Sequence, residues 1–203
     1  GSVSAWVKLD SMSANGFIFQ LRAEEGTDNQ IILLWNNASG VIRGNVKFGG
    51  TTNVVDSGSG LENDGNWHHV AFTWMSGSKT AANNITRIYI DGSETDNDAI
   101  GNTWSDESGP AELVIGRNSI QSNAYFNGHI NDVAIFDDVL TSSEVSTIYN
   151  SGSPKDESSH SGLVAYYTME AYTDGDTTLA DDSGNSNTIT ITNSTNIDST
   201  DTP

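Results

Sequence analysis

Apolar and polar residues alternate along most of the chain, which is the pattern of β-strands with one buried face. Residues 3–9 place Val3, Ala5, Val7 and Leu9 on one face of the first such strand. Clusters of Gly, Asn, Asp and Ser separate the alternating stretches and predict turns. The same pattern predicts further strands at residues 17–21, 30–35, 41–48, 51–55, 67–75, 85–90, 112–116, 130–136 and 162–169.

One stretch departs from this pattern and predicts a single short helix near residues 141–150. Thr141 and Glu144 have the spacing of a capping box, in which each side chain satisfies the backbone N–H of the other. Val145 and Ile148 then lie on one apolar face. Many short strands with a single helix predict an all-β fold, a two-sheet antiparallel jelly-roll sandwich.

The strand before this helix has an irregular pattern. Apolar and polar residues alternate cleanly from Val133 to Phe136, but the alternation is out of step around Asn131 and Asp132. An extra residue in a strand produces such a stagger, so the sequence indicates a β-bulge at this point.

The charge of the chain is strongly unbalanced, with 27 acidic residues against 8 basic ones and a net charge of −19. Such a surface repels nucleic acid and anionic membranes and attracts divalent cations. No apolar run approaches the roughly 20 residues that cross a bilayer, so we expect neither nucleic-acid binding nor direct membrane insertion. The chain has no cysteine, which excludes disulfides and thiol chemistry and leaves calcium as the expected stabiliser.

Five stretches together resemble the concanavalin A-like sandwich superfamily, in its laminin-G-like and pentraxin branches. In chain order they read VSAWVKLD, NWHHVAFTW, RIYIDGSE, LVIGRN and FNGHINDVAIFDDVLTSSEVSTIYNSG. Each is weak alone, but the order and spacing of all five match. The resemblance implies a jelly roll that is usually extracellular, usually binds calcium and serves adhesion or glycan recognition.

The end of the chain departs from the family pattern. A segment like residues 162–187 precedes the first strand in laminin-G-like repeats, whereas here it follows the helix. We expect one sandwich over residues 1–203, with residues 162–191 supplying an edge strand and residues 192–203 forming a tail. There are two alternatives. The sequence is out of phase with a repeat array, or this segment is exchanged with a neighbouring molecule.

A first candidate calcium site follows from the pentraxin resemblance. Asp28 and Asn29 precede an apolar strand as the pentraxin Asp-Asn pair does, and their oxygens suit calcium. Pentraxins complete that site from an acidic loop, whereas the matching loop here offers only amides such as Asn118 and Asn123. An Asx turn is the other interpretation of the Asp28–Asn29 loop.

A second candidate calcium site follows from the laminin-G-like resemblance. Asp181, Asp182 and Asn185 match the family's DxSGN loop, where calcium can be bound. Asp132 could approach this loop if the end of the chain docks beside its strand. An ordinary polar turn is the other interpretation.

Glucanases share the fold that this resemblance implies, so catalysis is one function to consider. A retaining glycosidase needs two carboxylates about 5 Å apart, which sandwich glucanases present as E-x-D-x-x-E on one strand. The sequence has no such motif: Glu112 stands alone, and the adjacent Asp137 and Asp138 point to opposite faces. We therefore expect no catalytic residues.

Glycan recognition needs an exposed aromatic ring beside polar groups. Trp104 and Tyr125 lie in or beside loops, and Asn118 and Asn123 are the nearby polar candidates. The other tryptophans lie in or at the ends of predicted strands, which favours the core. The loops expected to bind a glycan or other extracellular ligand are residues 23–30, 93–109 and 117–125.

These observations predict a non-catalytic, calcium-dependent glycan-binding or adhesion module of a secreted or cell-surface protein. A virion surface would suit the composition equally, and neighbouring domains of a larger chain are the expected context. Two further functions stay open: a structural spacer in a tandem array, and an accessory domain of a glycoside hydrolase.

Overall fold

The computed structural model describes most of the chain in ten ranges. They are residues 1–10, 15–22, 31–48, 51–58, 60–75, 85–99, 112–119, 124–170, 172–192 and 201–203. Within these ranges the chain forms 13 strands and one helix. They are β1 (Ser2–Leu9), β2 (Gly16–Arg22), β3 (Ile31–Asn36), β4 (Ile42–Phe48), β5 (Thr51–Asp56), β6 (His68–Trp74), β7 (Ile85–Ile90), β8 (Ser93–Ala99), β9 (Glu112–Ile115), β10 (Gly128–Phe136), α1 (Ser142–Tyr149), β11 (Leu163–Tyr167), β12 (Thr178–Leu179) and β13 (Ile189–Thr190).

The strands form two main antiparallel sheets, which confirms the predicted jelly-roll sandwich. A six-stranded sheet has the order β11-β10-β1-β6-β7-β8, and a five-stranded sheet has the order β5-β4-β3-β2-β9. Strands β12 and β13 pair with each other as a separate hairpin. Strand β11 lies at the edge of the larger sheet, where it pairs with β10.

The core lies between the two sheets. Val3, Ala5 and Val7 of β1 are fully buried there, as their alternation predicts. Gly44 of the smaller sheet faces the ring of Phe72, and a Cβ at this position would lie only 2.3 Å from that ring. The absence of a side chain at Gly44 therefore lets the sheets close over Phe72.

Helix α1 covers the outer face of the six-stranded sheet. Its predicted capping box is confirmed: Thr141 N–H donates to Glu144 Oε2 at 2.7 Å, and Glu144 N–H donates to Thr141 Oγ1 at 3.3 Å. Val145 and Ile148 are buried in a second apolar cluster on that face. The six-stranded sheet is thus packed on both sides.

The prediction of a loop at residues 93–109 is wrong for its first part, because Ser93–Ala99 is the edge strand β8. Its mostly exposed residues carry no apolar alternation, which is why the pattern did not indicate a strand. Two of its acids bind across to β5: Asp96 Oδ2 accepts from the backbone N–H of Asp56 at 3.0 Å, and Asp98 Oδ2 accepts from Asn53 Nδ2 at 3.1 Å.

Two adjacent histidines of β6 face opposite sides, as their positions in a strand predict. His69 is buried, and burial lowers its pKa to about 4, so its imidazole is neutral near pH 7. His68 lies between Asp91 and Asp64, with 2.9 Å from a ring nitrogen to each carboxylate. The hydrogen bond to Asp91 is the main reason that the pKa of His68 rises to about 9.

We expect His68 to stabilise the fold in a pH-dependent way. Its pKa is about 9 when folded, against an ordinary value of 6.5, so its contribution to stability is complete below pH 6.5 and is lost as the pH rises through 9. After allowance for solvent screening, the loss amounts to roughly 1–2 kcal/mol. Urea unfolding of the native chain and of His68→Gln from pH 6 to 10 measures this difference. Parallel pH profiles for the two proteins would contradict it.

Candidate functional site

A groove lies where the edge strand β9 meets the start of β10 and the β12–β13 hairpin. Its volume is about 640 Å³. Leu113, Ile115 and Ile130 form part of its floor, together with Met169 and Ile189, and all five are half-buried against the core. The floor is therefore apolar, and it belongs to the same packing unit as the sandwich interior.

Two residues on the groove wall stand out, Tyr125 and Arg117. They are partners in an antiparallel β-bridge, so their side chains lie on the same face at neighbouring positions. Tyr125 is 53% exposed, an unusual exposure among the large aromatic residues that the structure describes. Arg117 makes no hydrogen bond, ion pair or ring contact to any residue within the described ranges.

The two segments that carry this pair, residues 116–119 and 124–128, are held in place by backbone hydrogen bonds and one glycine. Gly116 N–H donates to Ile18 O at 3.0 Å, and Phe126 N–H donates to Gly116 O at 2.8 Å. Gly128 has φ 142°, and a Cβ there would lie 2.1 Å from the carbonyl oxygen of Lys8. Only glycine permits this close approach. Gly128 therefore sets the direction from which residues 124–127 lead into β10.

A second cavity of about 380 Å³ lies on the outer side of the six-stranded sheet, beside β10 and β11. Four carboxylate residues line it: Asp132, Asp156, Glu170 and Asp182. Apart from Lys155, the other residues that line it are uncharged. The cavity is therefore an acidic one in an already acidic protein.

Asp132 is the most unusual residue of this cavity. It is 7% exposed and has φ 49° at the predicted β-bulge, where the pairing of β1 with β10 shifts register. Its Oδ1 accepts a 2.6 Å hydrogen bond from the hydroxyl of Tyr166. Its Oδ2 is buried and has no hydrogen-bond partner in the described part of the chain. Burial is the main cause that raises the pKa of Asp132 to about 6, with a further rise from Glu170 and other nearby acids.

Two of the three candidate residues in the DxSGN loop, Asp181 and Asn185, hold the loop in place by hydrogen bonds. Asp181 accepts from the backbone N–H groups of Tyr166, Ser183 and Asn187 at 2.9–3.0 Å, so both its oxygens are engaged. Asn185 donates its amide to the carbonyl oxygens of Leu163 and Val164. Both therefore tie the loop to β11 and lie outside the lining of the acidic cavity.

Asp182 is the member of that loop that lines the acidic cavity. Its Oδ2 accepts from the backbone N–H and the hydroxyl of Thr168, at 3.2 and 3.0 Å. Asp132 lines the same cavity, so the expected approach of these two acids is present. Within the described ranges, no three His, Asp or Glu side chains converge closely enough to hold a metal ion in this arrangement.

The other candidate residues have separate positions. Asn118 is 7% exposed and does not line the groove. Trp104, Asn123, Asp28 and Asn29 lie outside the described residues, as do the predicted loops at 23–30 and 100–109.

Sequence reasoning missed Arg117 and Glu170. Arg117 begins a loop that the sequence does single out, and it is one of only eight basic residues, which was an available signal. Glu170 carries no local signal, because its place beside Asp132 depends on how β11 docks. The described residues include no helix long and apolar enough to cross a membrane.

Comparison with known proteins identifies relatives in both sequence and structure. The pentraxin-containing proteins named "Sushi, von Willebrand factor type A, EGF and pentraxin domain-containing protein 1" of Rattus norvegicus and Mus musculus are 26% identical over 153 residues. The matched part is 72% of this chain and 4% of the relative in each case, so this chain corresponds to a small part of those proteins.

Solved structures share the fold at low sequence identity. A Bacteroides ovatus protein assigned to carbohydrate binding has a TM-score of 0.65 and 20% identity, over 92% of this chain and 50% of that one. The sialidase module CBM40 of Ruminococcus gnavus bound to α2,3-sialyllactose has a TM-score of 0.58 and 14% identity, over 73% and 82% of the two chains. A pentraxin of Limulus polyphemus has a TM-score of 0.55 and 19% identity, over 73% and 68%.

The family resemblance seen in the sequence is confirmed. The Laminin G 3 family profile, described as concanavalin A-like lectin/glucanases superfamily, matches residues 1–146. Because this match spans most of the 203 residues, the chain belongs to the concanavalin A-like lectin/glucanases superfamily.

Proposed function

We propose that the chain is a non-catalytic carbohydrate-binding module that takes a saccharide in the groove beside β9. The exposed ring of Tyr125, next to Arg117 and above an apolar floor, is the observation that carries this proposal. Sugars present apolar C–H faces that stack on aromatic rings and hydroxyl edges that need polar partners. The groove offers both kinds of surface within one concavity.

The size and the surroundings of the groove are consistent with this function. Its volume of about 640 Å³ lies within the usual range of small-molecule sites, roughly 300–1,000 Å³. Several structures of the same fold are described as carbohydrate-binding, among them the CBM40 module with sialyllactose and an arabinanase domain from Geobacillus stearothermophilus with arabinotriose. These likenesses support an extracellular binding module, attached to neighbouring domains and used for adhesion or substrate capture.

We expect replacement of Tyr125 by alanine to weaken saccharide binding about tenfold or more, because an exposed aromatic platform supplies much of the contact. Tyr125→Phe should retain most of the affinity, since the ring remains. A glycan array followed by calorimetric titration of the binding saccharides measures both effects.

Trp35→Ala is the control for this experiment. Trp35 lies on the outer face of the five-stranded sheet, opposite the buried Leu34, where its ring stacks on Phe17 and lies 5.6 Å from the Arg43 guanidinium. Loss of binding in Trp35→Ala but not in Tyr125→Ala would move the site to the sheet face and contradict the groove. Circular dichroism checks that each variant is folded.

We also propose that calcium stabilises this module at the acidic cavity. The fit rests on the unpartnered Oδ2 of Asp132, which is buried where three further carboxylates line the same cavity. Calcium prefers such hard oxygens, and its charge would offset the mutual repulsion of these acids. Asp132, Glu170 and Asp182 are the residues that would hold it, with Asp156 at the rim.

Asp132→Asn tests this calcium site. Without calcium, the raised pKa of Asp132 means that its ionisation costs stability as the pH rises from 3.8 through 6, by on the order of 2–3 kcal/mol. The amide avoids this cost, keeps an acceptor for Tyr166 and tolerates the positive φ. We therefore expect the variant to melt higher than the native chain at pH 7 in chelator.

Calcium should remove most of that difference in stability. At 100 times its dissociation constant it stabilises the native chain by about 2.7 kcal/mol, whereas Asp132→Asn should gain much less. Asp10→Asn removes the same charge at an exposed position and is the matched control. Equal calcium responses in all three proteins, or none in the native chain, would remove this site from the proposal.

A further inference from the structure

The arginines of this chain differ sharply in their surroundings. Three of the four form ion pairs: Arg22 with Glu112 at 3.1 Å, Arg43 with Asp56 at 2.8 Å and Arg87 with Glu94 at 3.3 Å. Arg117 has no such partner among the described residues, although acids outnumber bases 27 to 8 in the chain. An arginine left unpaired in so acidic a protein is therefore a conspicuous feature.

The position of Arg117 adds to this. Its side chain lines the groove and is only half-exposed, so part of its hydration is already lost. Glu112 lines the same groove, but its carboxylate is occupied by Arg22. Among the described residues, the groove therefore presents the unpaired positive charge of Arg117 beside the exposed ring of Tyr125.

A guanidinium group has a fixed fork of N–H donors that matches a carboxylate in a bidentate way. A ring stacked on Tyr125 would place its substituents next to Arg117, because the two residues are bridge partners. We propose that the groove selects an acidic sugar, with the sugar ring on Tyr125 and its carboxylate on Arg117. This inference rests on the proposed function, since it names the ligand class of the same groove.

The net charge of −19 limits what kind of acidic saccharide can bind. A long polyanion would be repelled by the surrounding acidic surface, whereas a single acidic residue would meet mainly the local charge of Arg117. The favoured ligand is therefore a saccharide with one acidic sugar, at a chain end or as an isolated unit, and not an extended polyuronate.

Saccharides that differ in a single acidic group test the inference. We would titrate the native chain with 3′-sialyllactose and its methyl ester, which differ only in the carboxylate charge, and with lactose and 3′-sulfolactose. A preference of about tenfold for a carboxylated member over its neutral partner is the expected result, which corresponds to one good charged contact. A stronger preference for the sulfated sugar would overturn the assignment of a carboxylate.

Variants of Arg117 provide the second half of the test. Arg117→Ala should abolish the preference for the acidic member while leaving weak binding of the neutral one. Arg117→Lys should restore part of the preference, because it returns the charge without the fork. Arg87→Ala, which removes a paired arginine on the opposite sheet, is the matched control and should change nothing.

The outcomes separate this inference from the proposed function. If the native chain binds neutral and acidic saccharides equally and Tyr125→Ala abolishes both, the groove is a glycan site and the acidic preference is wrong. If Tyr125→Ala and Arg117→Ala both leave every saccharide titration unchanged, or if none of these probes binds, both the groove and its selectivity are overturned.

Discussion

The β-bulge in β10 is the feature on which the other parts of this structure depend. Ile130 and Val133 both pack toward the core although they are three residues apart, and an uninterrupted strand would turn one of them to the opposite face. The extra residue at Asp132 absorbs this mismatch with a left-handed backbone, φ 49°. Ile130 then forms part of the groove floor, while Asp132 enters the acidic cavity on the other side of the sheet.

The same strand also connects the ends of the chain. Strand β10 pairs with β1 on one side and with β11 on the other, and it leads into the helix that covers the outer face. The chain's last residues return to this neighbourhood, where Asp201 accepts hydrogen bonds from Lys8 at 2.8 Å and from Trp67 at 3.1 Å. Both candidate sites therefore combine β10 with residues that follow the helix.

Electrostatics gives the two sites opposite characters. In the cavity, burial and neighbouring acids disfavour the charged form of Asp132, which makes a cation the natural counterpart. In the groove, Arg117 has no acidic partner among the described residues although the chain as a whole is negative, which makes an anionic group the natural counterpart. The positive charge in the groove exists because Arg117, unlike the other three arginines, has no acidic partner in the part of the chain that the structure describes.

The sequence alone determined the fold class, the helix and its capping box, because period-two alternation and capping spacing are local signals that neighbouring residues carry. It also indicated the bulge at Asn131 and Asp132 and the exposed position of Tyr125. Local patterning could not detect β8, since an exposed edge strand rich in Asp lacks apolar alternation. Tertiary structure alone decided that Arg117 stands beside Tyr125, and that Asp132, Glu170 and Asp182 share a cavity while Asp181 and Asn185 do not. Arg117 and Tyr125 are eight residues apart and meet through a β-bridge. Asp132 is far in sequence from Glu170 and Asp182, and these acids come together only when β11 docks on β10.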